Sequence, residues 1–124
     1  MKKILVVDDE HDVEHLFLQR FRKEIRSGLM EMNFAFNGED ALTFIKSLSP
    51  YDVVIVLSDI NMPGMTGLEL LKIIKSEYKT LKVMMITAYG DESNYNNAIS
   101  IGADDFMSKP VDFSALKEKI LNIQ

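Results

Sequence analysis

The chain has 124 residues and a mass of 14.1 kDa, the size of one domain spanning 1–124 with no room for a second. Apolar residues make up 47% and charged residues 27%, with three prolines, which excludes a disordered or collagen-like chain. Lys and Arg number 14 against 19 Asp and Glu, a net charge of −5 that argues against direct nucleic-acid binding, and the absence of cysteine excludes disulfides, thiolate metal sites and cysteine nucleophiles.

At the start, Lys2-Lys3 precede only Ile4, Leu5, Val6 and Val7 before Asp8-Asp9. A secretion signal needs an apolar stretch of about 7 to 15 residues, so this run reads as a strand instead. Val13, Leu16, Phe17, Phe21 and Ile25 then form one helical stripe. The stretch from Ile25 to Met32 is long for a simple connection, so the helix extends or the loop after it is larger. Met30 to Phe36 alternates apolar with polar or small residues, the pattern of an edge strand with one wetter face. Ala41, Phe44, Ile45 and Leu48 make a second helical stripe, and Val53 to Leu57 a third strand.

Thr66 and Glu69 have capping-box spacing and open a third helix carrying Leu68, Leu71, Ile74 and Tyr78. Val83 to Ile86 is the fourth strand, followed by a weaker stripe of Tyr95, Ala98 and Ile99 that Gly102 is placed to end. Phe106-Met107 forms the fifth strand; Phe113, Leu116, Ile120 and Ile123 form the last helix, with Asp112 as its N-cap. Except for the second, the strand runs are near-continuous, as for strands covered on both faces. Five strand–helix alternations predict an α/β fold: a doubly wound (βα)5 flavodoxin-like three-layer sandwich with a parallel sheet of order 2-1-3-4-5. No run approaches the roughly 18 apolar residues of a membrane span, and a cytoplasmic location without membrane contact is the expectation.

In such sheets ligands bind beyond the carboxyl ends of the strands where the winding reverses, between the first and third strands. Asp8-Asp9 and Asp59 follow those two ends. One reading has them capping a helix and starting a loop. The other gathers three carboxylates in one basin. Two carboxylates about 5 Å apart repel by about 3 kcal/mol at an effective dielectric of about 20, so such a cluster calls for a hard divalent cation such as Mg2+. Lys109, after the fifth strand, is the candidate additional counter-charge. Thr87, at the end of the fourth, offers a hydroxyl to a phosphoryl oxygen, although alone it reads equally as a strand end or helix cap, and Lys109-Pro110 as a surface turn.

Taken together, these residues identify a resemblance. Asp8-Asp9, the run Asp59-Ile60-Asn61-Met62-Pro63-Gly64-Met65-Thr66-Gly67, Thr87-Ala88 and the run Gly102 to Pro110 resemble the receiver domains of two-component response regulators, in the family's order and over essentially the whole chain. The resemblance implies that Asp59 accepts a phosphoryl group from a histidine of a sensor kinase or phosphotransfer protein. It implies that Asp9, Asp59 and the carbonyl of Asn61 hold Mg2+, with Asp8 acting partly through water. Lys109 and Thr87-Ala88 would contact the phosphate, Lys109-Pro110 would be joined by a cis peptide bond, and Phe106 would be the aromatic that moves on activation. Asn61 and Tyr89 lie where the family tunes phosphate lifetime, a bulky Tyr89 implying shielding from water. The output would be a partner protein or a separate output domain, with room for a phosphorylation-dependent homodimer through the fourth helix, fifth strand and fifth helix. No enzymatic turnover beyond self-phosphorylation and self-dephosphorylation is expected.

Other readings fit less of the chain. His11-Asp12-Val13-Glu14-His15 matches the H-x-x-E-H zinc-protease pattern, but no third ligand or substrate cleft is evident. An aspartate-nucleophile phosphatase resembles the site but carries a second Asp where Asn61 stands. A flavin or nucleotide module of the same architecture would need a glycine-rich phosphate loop, and Asp8-Asp9-Glu10 occupies its place.

Overall fold

The computed structural model describes residues 2–49, 52, 54–88 and 90–123. Five parallel strands, β1 (Lys2–Val7), β2 (Met30–Ala35), β3 (Val54–Asp59), β4 (Lys82–Thr87) and β5 (Asp105–Ser108), pair in the order β2-β1-β3-β4-β5. The expected flavodoxin-like topology is therefore the observed one.

The period of two along the strands sorts their side chains into two apolar layers. Leu5, Val7, Val56, Val83 and Met85 face α3 (Gly38–Lys46), α4 (Gly67–Glu77) and α5 (Glu92–Ile101). Ile4, Val6, Ile55, Leu57, Met84 and Ile86 face α1 (Asp12–Arg20), the turn at Phe21 and α6 (Phe113–Asn122). β3 is buried along its whole length, as its unbroken apolar run requires. β5 departs from the expectation for a strand covered on both faces. As the edge opposite β2 it is half-buried, with Ser108 exposed. Val53, the expected start of the third strand, lies outside the described residues.

The Val13 to Ile25 stripe is carried by two helices, not one. α1 ends at Phe21, whose backbone (φ −103°, ψ 12°) leaves the helical region, and α2 (Arg22–Arg26) follows at once. Phe21 still accepts a hydrogen bond from the Ile25 amide and donates to Phe17, so the stripe keeps its face through the bend. Its fully buried ring stacks on Phe17 at 5.9 Å and meets Phe113 edge-on at 6.1 Å. The connection to β2 then closes through Gly28 at φ 80°, a left-handed turn suited to glycine.

The sequence's capping signals have the geometry they imply. Thr66 and Glu69 form a reciprocal capping box on α4, Asp112 caps α6 by accepting from Ala115, and Gly102 ends α5 in the left-handed conformation. At the opposite end of the sheet from the site, Lys2 Nζ donates to the carbonyls of Ile120, Leu121 and Ile123, at 2.7, 2.8 and 2.5 Å, satisfying the C-terminal turn of α6.

Because Phe21 fills the junction of α1, α2 and α6, Phe21→Ala is expected to cost about 3–5 kcal/mol in urea unfolding. A loss below about 1 kcal/mol would show that the bend is not held by this ring.

Candidate functional site

Register brings the site together. Val7 lies opposite Ser58, so the next residues, Asp8 and Asp59, become neighbours across β1 and β3. Thr87 lies opposite Ser108, which delivers Lys109 beside the end of β4, and the Lys109 amide donates to the Thr87 carbonyl at 2.7 Å. One carboxylate oxygen from each of Asp8, Asp9 and Asp59 lies within 4.8 Å of the others. Asp8 and Asp59 are buried and Asp9 is half-buried.

Asp8 and Asp9 do not cap α1. The helix begins after His11 without a side-chain cap, while Asp8 Oδ1 accepts the Glu10 amide at 3.0 Å in a local turn that fixes its carboxylate. Lys109 Nζ lies 3.5 Å from Asp59 Oδ1 and 3.7 Å from Asp8 Oδ2, bridging both. Burial pushes the Asp59 carboxyl above its ordinary value of 3.8, with Lys109 pulling it down and Asp8 adding to the rise. Burial likewise raises Asp8, against the Glu10 amide and Lys109. For Lys109 burial acts downward, but Asp59 and Asp8 outweigh it and the ammonium is held more firmly than usual. One lysine thus leaves two buried carboxylates under-compensated. Their oxygen donors converge from two strand ends, a set that fits a hard divalent cation.

Thr87 is buried, and its Oγ1 has no hydrogen-bond partner among the described residues. A buried hydroxyl left in this state costs about 1–3 kcal/mol, and it stands one strand from Asp59. Ala88 and Asn61 are exposed at the rim. The Lys109–Pro110 bond is cis. Phe106 is half-buried and packs edge-on against exposed Tyr95, ring centroids 4.8 Å apart. Tyr89 lies outside the described residues.

Two features of the site were not assigned a role from the sequence. Gly67 was legible only as part of the run after Asp59. Its amide donates to the Ile60 carbonyl at 2.8 Å, and an added Cβ would sit 2.0 Å from the Asp59 carbonyl oxygen and 2.7 Å from Ile60 Cα. The second is a cavity of about 510 Å3 beside the carboxylates, between α1 and the β5–α6 connection, lined among others by Leu16, Phe17, Arg20 and Phe113. It depends on contacts between the two ends of the chain, which no local pattern announces. The zinc-protease pattern finds no support: His11 stacks flat on Phe36 at 3.9 Å, and among the described residues the group able to hold a metal is Asp8, Asp9 and Asp59.

Comparison with known proteins agrees with this architecture. The sequence profile of the response regulator receiver domain matches residues 4–121. The chain is 38% identical over 109 residues to the DNA-binding transcriptional regulator NtrC of Proteus hauseri, covering 88% of this chain and 22% of that protein. It is 34% identical over 122 residues to the chemotaxis protein CheY-3 of Vibrio cholerae, covering 95% and 88%. Among solved structures, the response regulator protein TrrA of Thermotoga maritima, in complex with Mg(2+)-BeF, superposes with a TM-score of 0.76 at 35% identity, covering 97% of this chain and 96% of that one. The chain therefore belongs to the response regulator receiver domain family and serves a two-component signalling function. It spans about a quarter of the length of NtrC and of a second regulator, PilR of Pseudomonas aeruginosa, but most of CheY-3.

Two outcomes test the geometry. Gly67→Ala cannot be absorbed without moving the Asp59 backbone, and is expected to cost at least about 1–3 kcal/mol in urea unfolding and to shift the Asp59 amide resonance. A carboxyl with a raised folded-state pKa contributes stability that is fully present below 3.8 and lost as pH rises through the folded value. Asp59→Asn, neutral throughout, should therefore raise the thermal midpoint by a few degrees at pH 7 in chelator and give no gain near the ordinary carboxyl value. Calorimetry across that range showing a pH-independent difference would contradict the shift.

Proposed function

We propose that Asp59 is the phosphoacceptor of this domain, taking its phosphoryl group from a phosphohistidine on a sensor kinase or phosphotransfer protein. The single observation that carries the reading is the buried Thr87 hydroxyl, without a partner among the described residues, set beside a carboxylate cluster that Lys109 bridges. An anionic group bearing acceptor oxygens, attached at Asp59, would satisfy both Thr87 and Lys109.

The step needs no general base. An ionised Asp59 oxygen attacks phosphorus as the nitrogen–phosphorus bond to the donor breaks, and the departing imidazole takes up a proton. Asp8, Asp9, Asp59 and the carbonyl of Asn61 are the residues that would hold Mg2+, the cation in the solved TrrA complex. When bound, Mg2+ supplies positive charge against the carboxylates and the transferring oxygens. Lys109 holds a phosphoryl oxygen, Thr87 and Ala88 meet it from the β4 end, and Asn61 and Tyr89 govern the approach of hydrolytic water. The signal is a change of state around Thr87, Lys109 and Phe106, read by a downstream protein, an attached output domain or a second copy of the domain. A cytoplasmic location accompanies this reading, since phosphohistidine donors are charged there from ATP. Asn61 in place of an acid–base aspartate supports a signalling role over turnover of phosphate esters.

Incubation with acetyl phosphate and Mg2+ should add a single phosphate by mass spectrometry, absent in Asp59→Asn and after chelation. Labelling of Asp59→Asn at the wild-type level would overturn the assignment. Thr87→Val should still be labelled, yet lose the phosphate-dependent amide shifts at Lys109 and Phe106 that wild type shows by NMR.

A further inference from the structure

The turn that leads from β2 into α3 adds nothing to the cluster of Asp8, Asp9 and Asp59, yet it touches the segments on both sides of it. Towards β1, the Ala35 carbonyl accepts the Asp8 amide at 3.1 Å, and the Phe36 ring lies flat against His11, with centroids 3.9 Å apart and planes within 5° of parallel. Towards β3, Met65 folds over Gly38. A Cβ added at Gly38 would meet Met65 Sδ at 2.5 Å, its Cγ at 2.9 Å and its Cβ at 3.0 Å, so the turn and the loop after Asp59 leave no space for a methyl group between them. Asn37 fixes the turn between these contacts: its Oδ1 accepts the Asp40 amide at 2.7 Å and caps α3. β1 stands between β2 and β3 in the sheet, so the contacts reach across its end.

We propose that the turn at 35–38 is a positioning element of the cation site, with Phe36 and Gly38 holding the Asp8-Asp9 loop and the loop at 61–65 at the spacing that lets their oxygens converge. The inference rests on the reading of Asp8, Asp9, Asp59 and Asn61 given above. Mg2+ tolerates little departure from octahedral geometry, and carboxylates that repel one another drift apart unless their backbones are held. Asp8 is tied locally by the Glu10 amide, and Gly67 fixes the Asp59 backbone, but neither contact sets one loop against the other. The turn at 35–38 spans that gap. Residues that only orient metal ligands commonly change affinity by about 10- to 100-fold, so a shift of either loop registers first as weaker Mg2+ binding.

The test reads Mg2+ affinity by calorimetric titration, with urea unfolding in chelator as the measure of stability. Gly38→Ala is expected to bind Mg2+ about tenfold more weakly and to move the Asn61 amide resonance in chelator. Gly38→Ala/Met65→Ala, which puts a methyl group where the thioether lay, should recover most of that loss. Phe36→Ala should bind more weakly by a similar factor, and Phe36→Tyr, which keeps the ring, should bind as wild type does. The affinity of a fully folded protein does not follow its global stability, so Phe21→Leu, which loses packing at the far end of α1, should bind Mg2+ at the wild-type level. Wild-type affinity in both Gly38→Ala and Phe36→Ala would overturn the inference, and so would an equal weakening in Phe21→Leu. Acetyl phosphate at saturating Mg2+ should label the wild type. Failure to do so would instead overturn the assignment of Asp59, whereas weaker Mg2+ binding in the variants would still uphold the positioning role.

Discussion

Two carboxylates, Asp8 and Asp59, are held side by side away from water with one lysine between them. Burying a charge is costly unless it is paired, and here the pairing is incomplete by one positive charge or more. Neither position is free to relax. The β1–β3 register makes them neighbours, the Glu10 amide pins Asp8, and the approach of α4 through Gly67 fixes the backbone that carries Asp59. Two apolar layers on either side of the sheet supply the stability that keeps this arrangement closed. The apolar core and the acidic edge are parts of one design, in which packing sustains an electrostatic imbalance that a cation can relieve.

Much of this was legible in the sequence because the fold repeats a simple alternation. Runs such as Val83 to Ile86 are too short and too apolar for anything but covered strands, and Thr66, Gly102 and Asp112 mark helix ends by local chemistry alone. The break at Phe21 was not legible, because Phe17, Phe21 and Ile25 keep one face through the bend and the periodicity never falters. The half-burial of β5 was implied by the expected strand order, which places it at an edge, although its short apolar run by itself reads as a covered strand.

Within the site, the gathering of Asp8, Asp9 and Asp59 followed from topology, since doubly wound sheets place such residues at one crevice. What the chain order could not reveal were contacts with no local signature. That the Thr87 hydroxyl has no partner among the described residues depends on what surrounds it in three dimensions, and so does the glycine requirement at position 67. That α1 begins after His11, with Asp8 accepting the Glu10 amide instead of capping the helix, is likewise a contact the chain order did not announce.

The site draws its residues from the ends of β1, β3, β4 and β5, so its first and last members are separated by nearly the whole chain. No fragment or half-assembled sheet can present the full constellation, because the final strand must dock before Lys109 reaches Asp59. Bringing the lysine to the carboxylates is thus the last step of sheet assembly in chain order, and the complete cluster marks a completed sheet.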